Sequence, residues 1–148
     1  MALIRITKEF HFELAHALDG YDGACRNIHG HSYVLFVTVI GSPISSESNP
    51  KLGMIMDFGD LKKIVHENII SRFDHALLLN QKSSMLKTLR SESFGKVESL
   101  PFQPTCENLL PYFAELISSR LPNEVKLHHL KLNETATSFA EWYASDNP

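Results

Sequence analysis

The apolar run over residues 31–41 constrains the fold of this 148-residue chain more than any other feature. The run is typical of a strand, and both faces of that strand are apolar. A strand buried on both faces is covered by helices on one side and by a further layer on the other. The sequence therefore predicts a sheet whose two faces are both covered. One face carries Tyr33, Leu35, Val37 and Val39, and the other carries Val34, Phe36 and Ile40.

Two histidines, His29 and His31, lie at the mouth of this strand. Alternate residues of a strand point to the same face, so both imidazoles can approach one point. Gly30 between them leaves room for close backbone approach. Imidazole nitrogen is a favoured zinc ligand, and His16, at the end of an earlier alternating run, is the best candidate for a third ligand. Three histidines leave one zinc position open, which is the pattern of a catalytic site.

The same residues also permit simpler interpretations. A His-x-His pair can occur by chance on the polar face of a strand. Cys25 is either a small buried hydrophobe or, beside zinc or an imidazolium, a thiolate that acts as a base. Asp74 and His75 suit proton transfer, because the carboxylate orients the imidazole, although such a pair more often makes a structural hydrogen bond. Glu134, at the end of a strand, indicates by itself only a surface acid.

Composition limits the class of protein. Hydrophobic residues make up 43% and charged residues 21% of the chain, which is ordinary for a globular protein, and we expect one domain over residues 1–148. The net charge of −3 does not favour a general nucleic-acid surface. Two cysteines, Cys25 and Cys106, do not suggest a disulfide framework. The sequence shows neither a signal peptide nor a membrane-spanning run, so we expect a cytoplasmic protein without a membrane partner.

Hydrophobic periodicity predicts the element order β-β-α-α-β-β. We expect an α+β fold with a four-stranded antiparallel sheet and two helices on one face. Within the polar segment 81–103, weaker patterns indicate a short helix at 85–89 and a short strand at 97–102. The main elements are strands over 3–14 and 31–41, helices over 58–72 and from Thr105 to about 121, and strands over 125–134 and 138–143.

Short motifs are spread over nearly the whole chain. They are Phe12-Glu13-Leu14-Ala15-His16, Cys25 with His29-Gly30-His31, Gly53-Met54-Ile55-Met56-Asp57-Phe58, Phe73-Asp74-His75 with Leu79-Asn80, Pro104-Thr105-Cys106-Glu107-Asn108, and Asn133-Glu134-Thr135. In this order they resemble the family of 6-pyruvoyl-tetrahydropterin and 6-carboxytetrahydropterin synthases. The resemblance implies the tunnelling fold (T-fold), in which three β-β-α-α-β-β subunits close a twelve-stranded barrel. Two such trimers stack into a homo-hexamer.

The resemblance also implies roles for individual residues. The residues that would hold zinc are His16, His29 and His31. The residues that would transfer protons are the thiol of Cys25 and, from a neighbouring subunit, Asp74 and His75. The residues that would bind the pterin are Glu134 and, in a helping role, Thr105, Cys106 and Glu107. A carboxylate suits a pterin because it accepts two N–H bonds from the guanidine-like edge of the ring.

Two branches of this family use the same substrate, 7,8-dihydroneopterin triphosphate. The spacing Cys-x3-His-x-His resembles the 6-carboxytetrahydropterin synthases of the queuosine and deazapurine pathway, whereas pyruvoyl synthases usually carry a longer gap. We therefore expect a zinc-dependent lyase that forms 6-carboxy-5,6,7,8-tetrahydropterin and releases acetaldehyde and triphosphate. The alternatives are a 6-pyruvoyl-tetrahydropterin synthase, which eliminates triphosphate, and a zinc-dependent pterin-binding module without turnover.

One segment departs from the family pattern. Residues 81–103 form a longer connection than is usual between the Asp-His and Pro-Thr motifs. Its basic side chains either contact the triphosphate of the substrate or belong to a solvated insertion. They are Lys82, Lys87, Arg90 and Lys96.

Overall fold

The computed structural model describes residues 2–91 and 95–148, and within them one mixed sheet has six strands. The strands are β1 (Ile4–His16), β2 (His29–Gly41), β3 (Ala76–Asn80), β4 (Val97–Leu100), β5 (Lys126–Asn133) and β6 (Phe139–Tyr143). Their order across the sheet is β4-β3-β1-β2-β5-β6. β1 and β2 pair antiparallel from Ile4 opposite Gly41 to His16 opposite His29, so the two long strands place their histidines at one end of the sheet.

The α+β class is confirmed, but the sheet is larger than the four antiparallel strands expected. β2, β5 and β6 pair antiparallel as predicted. On the other side, β3 pairs with β1 and β4 with β3, and both of these pairings are parallel. Residues 76–80 form a short apolar run, which does not by itself distinguish a strand from the end of a helix. The predicted short strand at 97–102 is present as β4 and forms this edge of the sheet.

The two predicted main helices are present, and side chains cap both of them. The carboxylate of Asp57 accepts a hydrogen bond from Gly59 N at the start of the first helical run, and Thr105 Oγ1 accepts one from Asn108 N at the start of the second. The first run passes from α-helix into a π-helical turn and back. The helices are α1 (Phe58–Val65), the π-helical turn (His66–Ile70), α2 (Ser71–Phe73), α3 (Leu86–Ser91) and α4 (Cys106–Ser118), with 3-10 turns at Ala24–Arg26 and Ala144–Asp146.

The core lies between the helices and one face of the sheet. Phe12 of β1 stacks on Tyr33 of β2 with ring centroids 5.3 Å apart, and it meets Phe113 of α4 edge to face at 6.4 Å. Burying a side chain of this size contributes about 1.5–3 kcal/mol. On the opposite face of β2, Val34 and Phe36 are only half-buried within one chain. The second covering predicted for this strand is therefore incomplete in the single chain.

Among residues 2–91 and 95–148, no helix is both long enough and apolar enough to cross a lipid bilayer.

Candidate active site

The register of β1 and β2 brings three histidines together. His16 lies directly opposite His29, and His31 lies opposite Leu14, so a step of two residues along β2 returns to the same face. Ring centroids are 4.5 Å apart for His16 and His29 and 5.0 Å apart for His29 and His31. One ring nitrogen from each of the three histidines lies within 4.8 Å of the other two. The three residues predicted as ligands thus converge on one point.

Backbone carbonyls fix the orientation of two of these rings. His16 Nδ1 lies 2.7 Å from Pro104 O, and His29 Nδ1 lies 2.7 Å from Asn27 O. A carbonyl only accepts hydrogen bonds, so each Nδ1 carries a proton, and in the neutral ring Nε2 then presents a lone pair. Partners of this kind are typical around metal-binding histidines. The sequence does not predict these two hydrogen bonds, because their acceptors are main-chain carbonyls.

The remaining ring nitrogens fit a cation. Nε2 of His16 and Nε2 of His29 are 3.0 Å apart, and two lone pairs at that distance repel unless a positive ion lies between the rings. Nε2 of His31 is buried and has no hydrogen-bond partner among the described residues, which is uncommon for a buried polar atom. Burial is the main cause that lowers the pKa of His16, so this ring is neutral, as a metal ligand must be. Three imidazole nitrogens suit zinc.

Glu134 and Tyr33 complete the wall beside the histidines. Glu134 Oε1 lies 3.4 Å from His31 Nε2 and 3.6 Å from His16 Nε2. The hydroxyl of Tyr33, which is fully buried, donates to the same oxygen at 3.4 Å. Burial raises the pKa of Tyr33 above its usual range, so the group remains a donor. Tyr33 was not predicted in the site, although its position two residues after His31 places it on the same face.

A cavity of about 200 Å³ lies next to this wall. Its lining includes His16 and all the residues predicted for the thiol and pterin roles, namely Cys25, Thr105, Cys106, Glu107 and Glu134. Cys25 is exposed on the 3-10 turn between β1 and β2, and its carbonyl accepts a hydrogen bond from Leu18 N at 2.9 Å. Burial raises the pKa of Cys106 to about 12, so this thiol stays protonated, whereas Cys25 is the exposed cysteine of the two.

Asp74 and His75 lie in the turn between α2 and β3, where His75 lines a second cavity that His31 also lines. His75 Nδ1 is 3.1 Å from Asp74 Oδ1, and the side chain of His75 is 76% exposed. Asp74 Oδ1 accepts from Glu13 N at 2.9 Å, and this bond is the main cause that lowers the pKa of Asp74. Neither residue lines the cavity that contains Cys25 and Glu134. The structure therefore brings the predicted pair together but leaves it apart from the thiol of its own chain.

Known proteins with similar sequences indicate the family of this chain. A family model described as 6-pyruvoyl tetrahydropterin synthase matches residues 5–145. The 6-carboxy-5,6,7,8-tetrahydropterin synthase of Haemophilus influenzae is 39% identical over 145 residues, which cover 95% of this chain and 99% of that protein. The protein of the same name from a Synechocystis species is 33% identical over 140 residues, which cover 94% of this chain and 92% of that protein.

Solved structures show the same fold. An uncharacterized protein from Wolinella succinogenes has a TM-score of 0.77 at 22% identity, covering 97% of this chain and 99% of that chain. The 6-pyruvoyl tetrahydropterin synthase of Caenorhabditis elegans has a TM-score of 0.67 at 24% identity, covering 97% of this chain and 96% of that chain. From the family match and the relatives at 39% and 33% identity, it follows that this chain belongs to the 6-pyruvoyl tetrahydropterin synthase family of enzymes.

Proposed function

We propose that this protein is a zinc-dependent 6-carboxy-5,6,7,8-tetrahydropterin synthase of queuosine and deazapurine biosynthesis. It converts 7,8-dihydroneopterin triphosphate and one water to the carboxypterin, acetaldehyde and triphosphate. The observation that carries the proposal is the convergence of three imidazole nitrogens within 4.8 Å beside Cys25 and Glu134. The names of the relatives from Haemophilus influenzae and a Synechocystis species favour the carboxy branch over the pyruvoyl branch.

The metal site consists of His16, His29 and His31. Hydrogen bonds to Pro104 O and Asn27 O keep two of the rings in the tautomer that presents Nε2. When bound there, zinc supplies a Lewis acid that acidifies the side-chain hydroxyls of the substrate and stabilises negative charge that develops on them.

Glu134 anchors the pterin ring in this proposal. Its carboxylate accepts two N–H bonds from the guanidine-like edge of the pterin. The hydroxyl of Tyr33 holds one carboxylate oxygen from the protein side. Thr105, Cys106 and Glu107 close the same cavity, and the hydroxyl of Thr105 is already used to cap α4. Fixing the ring at this wall positions the substrate side chain next to the histidines, which is an entropic contribution to rate.

Proton transfer is divided between two groups. The thiolate of Cys25 removes a proton from the substrate side chain, and the imidazole of His75, oriented by Asp74, relays protons on the other side. In this proposal a neighbouring subunit supplies Asp74 and His75, which is supported by their absence from the lining of the cavity that contains Cys25 and Glu134 in their own chain. The cavity of about 200 Å³ is also smaller than the roughly 300–1,000 Å³ of common ligand sites, as a half-site would be.

We propose a homo-hexamer made of two trimers, each subunit forming one domain over residues 1–148. In the described residues β4 and β6 are edge strands, each paired on one side only. Closing a barrel across subunits removes such edges. It also covers the half-buried face of β2, which carries Val34 and Phe36.

Product analysis tests the function. The zinc-loaded protein is incubated with 7,8-dihydroneopterin triphosphate, and the products are identified by mass spectrometry together with an assay for acetaldehyde. The proposal predicts one acetaldehyde for each 6-carboxytetrahydropterin. A pyruvoyl pterin with triphosphate but without acetaldehyde would assign the protein to the pyruvoyl branch. Binding of the substrate without any product would instead support a pterin-binding module.

A further inference from the structure

The Asp74–His75 turn has an unusual backbone conformation. His75 has φ of 60°, and among the described residues it is the one non-glycine residue with positive φ. Residues other than glycine rarely adopt this left-handed backbone conformation. It persists where surrounding contacts impose it. The contacts that impose it therefore bear on where the imidazole of His75 points.

Strand β1 holds one side of this turn. His75 N donates to Glu13 O at 2.6 Å, while Glu13 N donates to Asp74 Oδ1 at 2.9 Å. These two bonds fix the turn against the sheet. Neither bond involves the carbonyl of Ser71 or that of Asp74.

Lys96 holds the other side. Its ammonium group donates to Ser71 O at 2.8 Å and to Asp74 O at 2.7 Å. Its own carbonyl accepts from Leu77 N at 2.9 Å, which attaches the backbone of Lys96 to the start of β3. A cation is favourable at this end of a helix, where carbonyls lack partners within the helix. The positive charge also contributes, after the larger effects of Glu13 N–H and His75, to lowering the pKa of Asp74.

We propose that Lys96 is a positioning residue for the reaction: by binding the carbonyls of Ser71 and Asp74, it holds His75 in the left-handed conformation that presents its imidazole to the substrate. The inference rests on the proposed function, in which His75 relays protons. The structure adds a third interpretation to the two expectations for this lysine, since two donors of its half-buried ammonium group are bound to the carbonyls of Ser71 and Asp74.

The kinetic test compares Lys96→Met in two backgrounds. In the otherwise unchanged enzyme we expect kcat to fall about tenfold, because the relay group is misplaced, with KM changed less than about twofold. In a His75→Ala background the same substitution should cause no further loss, because the group that it positions is gone. Lys96→Arg should restore part of kcat, since a guanidinium can bind both carbonyls. Lys62→Met removes an equal charge from the exposed face of α1 and should leave kcat unchanged.

Two kinetic results would overturn the inference. One is a Lys96→Met enzyme with the kcat of the wild type. The other is an equal fold-loss in the presence and absence of His75, which would indicate a general structural role for Lys96.

Amide hydrogen exchange tests the same inference without substrate. Loss of the Lys96 contacts should speed exchange of the His75 amide at least about tenfold, while amides of β5 exchange as before. An unchanged His75 amide, or equal acceleration throughout the protein, would contradict the inference. Because this readout needs no turnover, a protein that proved inactive on the pterin triphosphate would refute the proposed function and leave this test intact.

Discussion

The histidine cluster and the Asp74–His75 turn are built in different ways. The cluster follows from one register: His16 faces His29 across an antiparallel pair, and the next position on the same face of β2 is His31. The turn depends on contacts from Glu13 and Lys96, which are 61 and 22 residues from Asp74 in sequence. A strand pair can therefore bring three imidazoles together within one chain, whereas the turn leaves His75 exposed, where our proposal pairs it with the site of a second chain.

The largest expected effect is loss of the metal. His29→Ala removes one of the three converging nitrogens, so we expect zinc content to fall from one ion per subunit towards zero and activity to be abolished. Zinc is measured by elemental analysis of the purified variant. His11→Ala is the matched control, because His11 is an exposed histidine of β1 that pairs with Glu9. Full zinc content in His29→Ala would contradict the ligand assignment.

Removal of the Cys25 thiol should reduce turnover without loss of zinc. Cys25 lines the cavity but is not one of the three convergent groups, so Cys25→Ala should retain zinc. Turnover should fall by about 10²–10⁴-fold, as is typical for loss of a general base. Elemental analysis and steady-state kinetics on the same preparation check both parts. A Cys25→Ala protein without zinc would make this cysteine a ligand instead.

Substitution of His75 should affect activity and stability in opposite directions. His75→Gly removes the imidazole and relieves the left-handed conformation, so we expect turnover to fall by about 10²–10⁴-fold. We also expect the free energy of unfolding to rise by about 1 kcal/mol. Denaturant unfolding of His75→Gly and of His75→Ala separates the effects, since alanine gains nothing from this conformation. If glycine stabilised the protein no more than alanine, the turn would not be strained.

Asp74 should give the smallest effect, which depends on pH. Its pKa is lowered in the folded protein, mainly by the Glu13 N–H, so its contribution to stability is present above about pH 4 and is lost as the pH falls through the folded pKa. Asp74→Asn should therefore destabilise the protein more at pH 7 than at pH 3. Denaturant unfolding at the two pH values measures this difference. A pH-independent difference would mean that the charge of Asp74 is not involved.

The sequence predicts the cluster better than the turn because the cluster is a local pattern. Strand periodicity is enough to place His29 and His31 on one face, and the motif residue Thr105 caps α4 as its position suggests. Tyr33 could have been added to the site on the same periodicity.

The rest of the site depends on long-range contacts that leave no local signal. The parallel pairing of β3 with β1 is decided by tertiary packing. The apolar run 76–80 is compatible both with a strand and with the end of a helix. Lys96 belongs to a mixed polar segment, where nothing in the pattern distinguishes a lysine bound to the carbonyls of Ser71 and Asp74 from a solvated one. The hydrogen bonds to the carbonyls of Pro104 and Asn27 are equally difficult to predict from the sequence, because any residue type provides a carbonyl.

The most direct test of the two-chain site is complementation between two inactive variants. Cys25→Ala and His75→Ala subunits are co-expressed with different tags, and mixed assemblies are purified through both tags and assayed. If the thiol of one chain works with His75 of its neighbour, random equal mixing restores intact sites and about a quarter of wild-type activity. If both groups serve the site of their own chain, the mixed assembly will be no more active than its two inactive parents, and the account will be contradicted.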